Sequence, residues 1–208
     1  MFTGLVEATG RVLAQAPGPR GGVRLETEMP FSDLKLGDSI AHSGVCLTAV
    51  VVEEGRVQVD IGPETLARTT AGSWAPGRRL NLERSVLPTT RLGGHLVQGH
   101  VDGVARLSRA DARDNAWDLE FELEAELLRL VIPRGSVAVD GISLTVTGRG
   151  ASGFSVSIIP HTWKETSLSD LALGDPVNIE VDLVARYVDA LFPGVGLPGA
   201  GEADLGPS

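Results

Sequence analysis

The chain is poor in the residues that build the commoner kinds of site. One cysteine, Cys46, in 208 residues excludes an intrachain disulfide and any Cys-x-x-Cys metal pair. Aromatic residues make up only 4% of the sequence, so aliphatic strands and glycine turns must carry the packing. Basic residues are in deficit, 18 Lys and Arg against 27 Asp and Glu, and the formal charge of -9 argues against a nucleic-acid partner. A small anionic ligand remains compatible with that charge. No uncharged apolar run approaches the ~18 residues of a membrane span, and no basic stretch followed by an apolar run marks the N-terminus as a secretory leader. His-Glu-x-x-His, Gly-x-Gly-x-x-Gly and P-loop motifs are missing too. The expectation is a soluble, cytoplasmic globular protein with no metal site and no nucleotide site of either common type.

What is present is a succession of short alternating segments. With 42% hydrophobic residues and 26 glycines, the chain reads as strands separated by turns. Expected strands run over 4–12, 23–27, 39–41, 44–52 and 56–61, with turns at 17–22 and 53–55. The order then repeats. Ser39-Ile40-Ala41-His42-Ser43-Gly44-Val45-Cys46-Leu47-Thr48 aligns with Ser136-Val137-Ala138-Val139-Asp140-Gly141-Ile142-Ser143-Leu144-Thr145, five of ten positions being identical at an offset of 136 − 39 = 97. The same offset pairs Pro63-Glu64-Thr65 with Pro160-His161-Thr162, and Asn81-Leu82-Glu83 with Asn178-Ile179-Glu180. Near the start the offset is 97 − 2 = 95, setting Phe2 to Glu7 against Val97 to Asp102. A period this long indicates a duplicated domain; solenoid repeats run to ~20–50 residues.

The glycine-flanked stretch Gly93 to Gly103 therefore opens the second copy. Its alternation predicts an extended strand with His95 and His100 on opposite faces. Six strands per copy suit two closed barrels, with short helices such as 125–130. Leu183, Val184, Tyr187, Val188 and Leu191 form an apolar stripe on a terminal helix over 183–192, before Pro193. Residues 193–208, rich in Gly and Pro, read as disordered. The divisions are residues 1–94, 95–182, 183–192 and 193–208.

Chemically, both copies keep a small polar residue, Cys46 or Ser143, before Leu-Thr, and both keep Pro-x-Thr. Two related sites for two similar molecules would follow. Thr48, Thr65, Thr145 and Thr162 read equally well as caps of turns and helix starts. Cys46, inside an apolar strand, reads more readily as packing than as a nucleophile.

The blocks Met1 to Glu7, Gly44 to Thr48, Gly94 to Gly103 and Val139 to Val146 resemble the riboflavin synthases of the alpha-chain type, in order and spacing, over residues 1–192. The resemblance implies an all-β fold of two six-stranded Greek-key barrels with short helices and a C-terminal helix that joins three subunits. It implies dismutation of two 6,7-dimethyl-8-ribityllumazine molecules by four-carbon transfer, giving riboflavin and 5-amino-6-ribitylaminouracil, with neither metal nor redox cofactor. A homotrimer and association with lumazine synthase are implied as well. By motif, substrate contacts fall on Gly4, Leu5, Val6, Cys46, Leu47, Thr48, Asp60, Ile61, Gly62, Pro63, Glu64 and Thr65 in the first copy. In the second they fall on Gly94, His95, Leu96, Arg134, Ser143, Leu144, Thr145, Ile158, Ile159, Pro160, His161, Thr162 and Trp163. Phe2, Cys46, His100, Ser143, Thr145 and Asp182 are the candidates for chemistry. His100 suits proton transfer, imidazole being the side chain most often used for general acid–base work. Arg134 and Trp163 depart from the lysine and leucine usual at those places. A non-catalytic lumazine-binding protein is the competing reading.

Overall fold

A computed structural model describes residues 1–192, so the tail 193–208 lies outside the described residues. The first barrel is built from β1 (Ala8–Pro17), β2 (Val23–Glu28), β3 (Ser39–His42), β4 (Val45–Glu53), β5 (Arg56–Ile61) and β6 (Arg79–Arg84), with helix α1 (Pro63–Arg68) after β5. The second uses β7 (Gly103–Arg113), β8 (Ala116–Glu122), β9 (Ser136–Val139), β10 (Ile142–Arg149), β11 (Gly153–Ile158) and β12 (Pro176–Val181). Helix α2 (Ala125–Leu128) follows β8, α3 (Pro160–Glu165) follows β11, and α4 (Leu183–Leu191) ends the described chain. The closed orders β1-β2-β5-β4-β3-β6 and β7-β8-β11-β10-β9-β12 are the same Greek key twice. Closure leaves neither barrel with an edge strand.

Alternation explains the strands. Along β5 every second residue, Val57, Val59 and Ile61, is buried; β11 repeats this with Phe154, Val156 and Ile158. Each of these side chains is worth about 1.5–3 kcal/mol of burial. Register shifts fall on β1, β4, β7 and β10, the first and fourth strands of each barrel. Such irregularities bend a strand and help a small sheet curl shut.

The two barrels meet across a pseudo-twofold axis. Asn81 donates to the Asp140 carbonyl at 2.9 Å and accepts from Ser167 N–H at 2.7 Å. Its counterpart Asn178 donates to the Ser43 carbonyl at 2.8 Å and accepts from Thr70 N–H at 2.7 Å. Gly44 and Gly141 face each other so closely that a Cβ on either would sit 2.7 Å from the other's backbone nitrogen. Phe2 and Val97, repeat equivalents, form an antiparallel bridge on the axis. They pack there with Ala41, Ala138 and Cys46.

Two strand expectations need correction. The first barrel strand starts at Ala8, so residues 4–7 precede it, and Gly93 to Asp102 pairs as a strand only at the Phe2–Val97 bridge. The reason lies in two carboxylates. Glu83 accepts from Thr3 N–H (2.6 Å), Thr3 Oγ1–H (2.8 Å) and Gly4 N–H (3.0 Å). Glu180 accepts from the N–H groups of Gln98 (2.7 Å), Gly99 (2.9 Å) and His100 (3.0 Å). A side chain thus satisfies the backbone donors that a ladder would have used, and each extended segment becomes an arm. Helix α2, Ala125–Leu128, is two residues shorter than the expected 125–130, and α4 ends at Leu191, one residue before the expected end.

Candidate active site

Each arm is held by its own barrel and packs on the other. The Gly4 carbonyl accepts from Ser143 N–H on β10 at 2.8 Å, and Val6 packs against the second barrel's core. Reciprocally, the Gly99 carbonyl accepts from Cys46 N–H on β4 at 3.0 Å, and Val101 packs against the first core. Glycine is required at both points: Gly4 and Gly99 have φ of +75° and +79°. A Cβ there would lie 2.6 Å from Ser143 Cβ and 2.5 Å from Cys46 Cβ respectively.

The arm of the second copy closes a cleft of about 250 Å³ on the first barrel. The cleft is lined by Cys46 of β4, by Glu64, Thr65 and Arg68 of α1, and by Gly99, His100 and Val101 of the arm. Gly62 and Pro63 start α1 with proline in its first turn, and Arg68 is paired with Glu64 at 3.1 Å. His100 is exposed, while Cys46 is half-buried. Burial pushes the Cys46 thiol up and a contact with Ser39 opposes it, so the neutral thiol is the resting form.

On the second barrel the mirror arrangement places Ser143 beside Gly4, Gly94 and His95. Ser143 Oγ lies 2.7 Å from His95 Nδ1, and His95 N–H donates to the Thr3 carbonyl at 3.1 Å. His95 is 8% exposed, and its Nε2 lacks a hydrogen-bond partner among the described residues. Burial pulls its imidazole below the usual value, and the nearby Asp182 carboxylate pulls it back up. Asp182 also caps α4, accepting from Val184 N–H at 2.8 Å.

The remaining expected residues divide by direction. Cys46 and Thr48, like Ser143 and Thr145, point outward from their strands, whereas Leu47 and Leu144 point into the barrel cores. Ile61 and Ile158 are core residues as well. Asp60 is held by Arg24 at 2.8 and 2.9 Å, which lowers its carboxyl. Leu5, Leu96, Ile159, Pro160 and His161 are exposed, and Thr162 is half-buried at the start of α3. Trp163 stacks on Trp117 with ring centroids 4.1 Å apart. Arg134 occupies a left-handed turn, φ 67°, outside the cluster around Ser143. Phe2 is fully buried on the axis. Gly4 and Val6, grouped by motif with the first copy, are therefore placed against the second barrel. Sequence reasoning overlooked Glu83, Glu180 and Arg68; the two glutamates had a signal, since both sit in a repeated Asn-x-Glu block.

The lumazine binding domain family matches twice, over residues 3–85 and 98–182. The chain belongs to the lumazine-binding domain family. Within that family, the riboflavin synthase of Mycobacterium tuberculosis is 44% identical over 202 residues, 94% of this chain and all of the relative. That of Photobacterium phosphoreum is 40% identical, covering 92% of this chain and 89% of the relative. The Bacillus subtilis enzyme is 36% identical over 90% of this chain and 88% of its own length. Among solved structures, LumP complexed with riboflavin aligns with a TM-score of 0.81 at 20% identity, covering 87% of this chain and 99% of LumP. At that identity it supports the fold. Among the described residues no group of three or more His, Cys, Asp or Glu side chains could hold a metal ion.

Proposed function

We propose that the protein is a riboflavin synthase, converting two molecules of 6,7-dimethyl-8-ribityllumazine into riboflavin and 5-amino-6-ribitylaminouracil. Relatives of that name span nearly the whole chain. The observation that carries the reading is the pair of pseudo-symmetric sites, each made of one barrel's outward strand face and the other copy's arm. Two like sites suit a reaction between two like molecules. The chemistry requires removal of a proton from a C7 methyl group, attack on C7 of the partner molecule and proton transfer during elimination.

His100, exposed at the rim of the cleft, is the proton carrier in this reading. Cys46, kept neutral by burial, serves as a hydrogen-bonding wall. Ser143, oriented by His95 at 2.7 Å, handles the proton or hydroxyl on the other side. The substrate shell comprises the outward residues around Cys46 and Thr48 and around Ser143 and Thr145, with Thr65 and Thr162 at the helix starts. Fixing two rings face to face supplies much of the rate, since pairing bound reactants is worth several kcal/mol, ~7–11 in the best cases. The apolar face of α4, with Val184, Tyr187, Leu191 and Phe192 exposed, supports assembly into a trimer in which the sites of neighbouring copies meet.

Incubating the purified protein with the lumazine alone tests the function, riboflavin absorbance and fluorescence being the signal. Binding without riboflavin formation would make it a lumazine carrier. His100→Gln is expected to lower turnover with binding nearly intact; unchanged turnover removes His100 from the proton-transfer role.

A further inference from the structure

We infer that Arg186, on the terminal helix α4, is a positioning residue that fixes the His100 arm against the cleft. The inference rests on the proposed function for its catalytic consequence and on geometry for the rest. The guanidinium of Arg186 reaches three acceptors on the arm: Gln98 Oε1 at 3.0 Å, the His100 carbonyl at 3.4 Å and Asp102 Oδ2 at 2.8 Å. On the opposite side of the same arm, Glu180 accepts the backbone N–H groups of Gln98, Gly99 and His100. His100 is therefore held by its N–H and by its carbonyl at once, from two elements. The planar fork of arginine makes such a multiple contact; a lysine ammonium is a single point charge.

The other copy shows that the device is built in. Glu7, the repeat equivalent of Asp102, donates its N–H to the Leu82 carbonyl at 3.0 Å, as Asp102 does to Ile179 at 2.8 Å. The Glu7 carboxylate accepts the Arg84 N–H at 2.7 Å, as Asp102 accepts the Val181 N–H at 2.9 Å. In the first copy the Arg84 side chain then closes an ion pair with Glu7. In the second copy the equivalent of Arg84 is Val181, buried and unable to do so. Arg186 fills that role from one turn into α4, an element with no counterpart in the first copy. The helix thus completes the second arm by chemistry that the first barrel carries internally.

A second ion pair, Arg129 with Asp189, docks α4 on the barrel without touching the arm, and provides the control. Arg186→Met and Arg129→Met are compared in the full chain by amide hydrogen exchange and by steady-state turnover of the lumazine. Arg186→Met is expected to speed exchange of residues 98–102 and leave residues 3–7 protected. It should lower kcat about 10- to 100-fold, the scale on which a displaced catalytic group costs rate, with KM changed by less than about threefold. Arg129→Met should keep both the protection of 98–102 and kcat. Wild-type exchange at 98–102 in Arg186→Met, unchanged kcat, or an equal loss of kcat in Arg129→Met would overturn the assignment. Should the wild-type protein form no riboflavin, the proposed function fails, while the exchange comparison still decides whether Arg186 holds the arm.

Discussion

Asp140 shows how far a single buried carboxyl shapes the chain's response to pH. It sits in the turn between β9 and β10 with φ 44°, 1% exposed, and accepts the Asn178 N–H at 2.8 Å. Burial pushes its carboxyl up to about 7, although the Asn178 bond and the charge of Arg78 oppose the shift. An unfolded aspartate ionises near ~3.9. Between that pH and about 7 the folded chain holds a proton that the unfolded chain has lost, so stability falls as pH rises through this window, by up to about 4 kcal/mol. Asp140→Asn keeps the acceptor oxygen and tolerates a positive φ. Urea unfolding should find it more stable than wild type at pH 8 and about equal at pH 4; equal effects at both would sink the argument. His42 acts in the opposite direction. Buried in the first barrel with Nε2 3.2 Å from Thr27 Oγ1, it is pulled down to about 4. The unfolded imidazole gains its proton near ~6.5, so stability is lost as pH falls from there toward 4, by about 3 kcal/mol. The second barrel has Val139 and Phe121 at the equivalent places, both fully buried. His42→Leu with Thr27→Val should therefore remove that acid slope, as unfolding at pH 4.5 and 7 can measure.

At the scale of elements, the arms decide what the barrels present. Gly99→Ala forces a Cβ to within 2.5 Å of Cys46 and a left-handed φ on a residue that disfavours it, a conformational cost of about 1–2 kcal/mol before the clash. The arm must lift from β4. Calorimetric titration with the lumazine should then show weaker binding at the Cys46 cleft while the Ser143 site is kept; Gly4→Ala should do the reverse. Loss of both sites from either change would mean that the arms are not independent. The strands were largely legible in the sequence because period-two burial is a local property: β2 to β5 lie within about two residues of where alternation puts them. The arms were not. Alternation in Leu96 to Val101 marks extended chain correctly, but it cannot tell a ladder partner from a glutamate carboxylate eighty residues away. For the same reason the motif placed Gly4 to Val6 with the first copy's site, and only the three-dimensional crossing puts Gly4 beside Ser143. Cys46, His100 and Ser143 could be picked as polar residues at repeated positions; Arg186 belongs to no repeat and gave no such signal.

For the whole molecule, the duplication visible as an offset of 97 becomes a physical axis, and the question is whether two barrels behave as one folding unit. Asn81 and Asn178 are the test. Each is buried and uses both ends of its amide to tie the opposite barrel to its own, so truncation leaves backbone donors and acceptors stranded. An unsatisfied buried group costs about 1–3 kcal/mol, and either Asn→Ala change strands two. Asn81→Ala or Asn178→Ala alone should lower stability by about 2–6 kcal/mol while the arms still hold the barrels in register. The double variant removes all four asparagine bonds across the axis, leaving the Arg79 contacts to Thr166, Ser169 and Asp170, the Phe2–Val97 bridge, the Gly44–Gly141 contact and the arm contacts at Cys46 and Ser143. Each barrel has its own closed sheet and its own core, so weakening the axis should let them melt separately. Scanning calorimetry should show one transition for wild type and two for Asn81→Ala/Asn178→Ala. A single transition in the double variant would place the coupling in the arm and Arg79 contacts, and adding Gly99→Ala and Arg79→Met to that variant would then show the split.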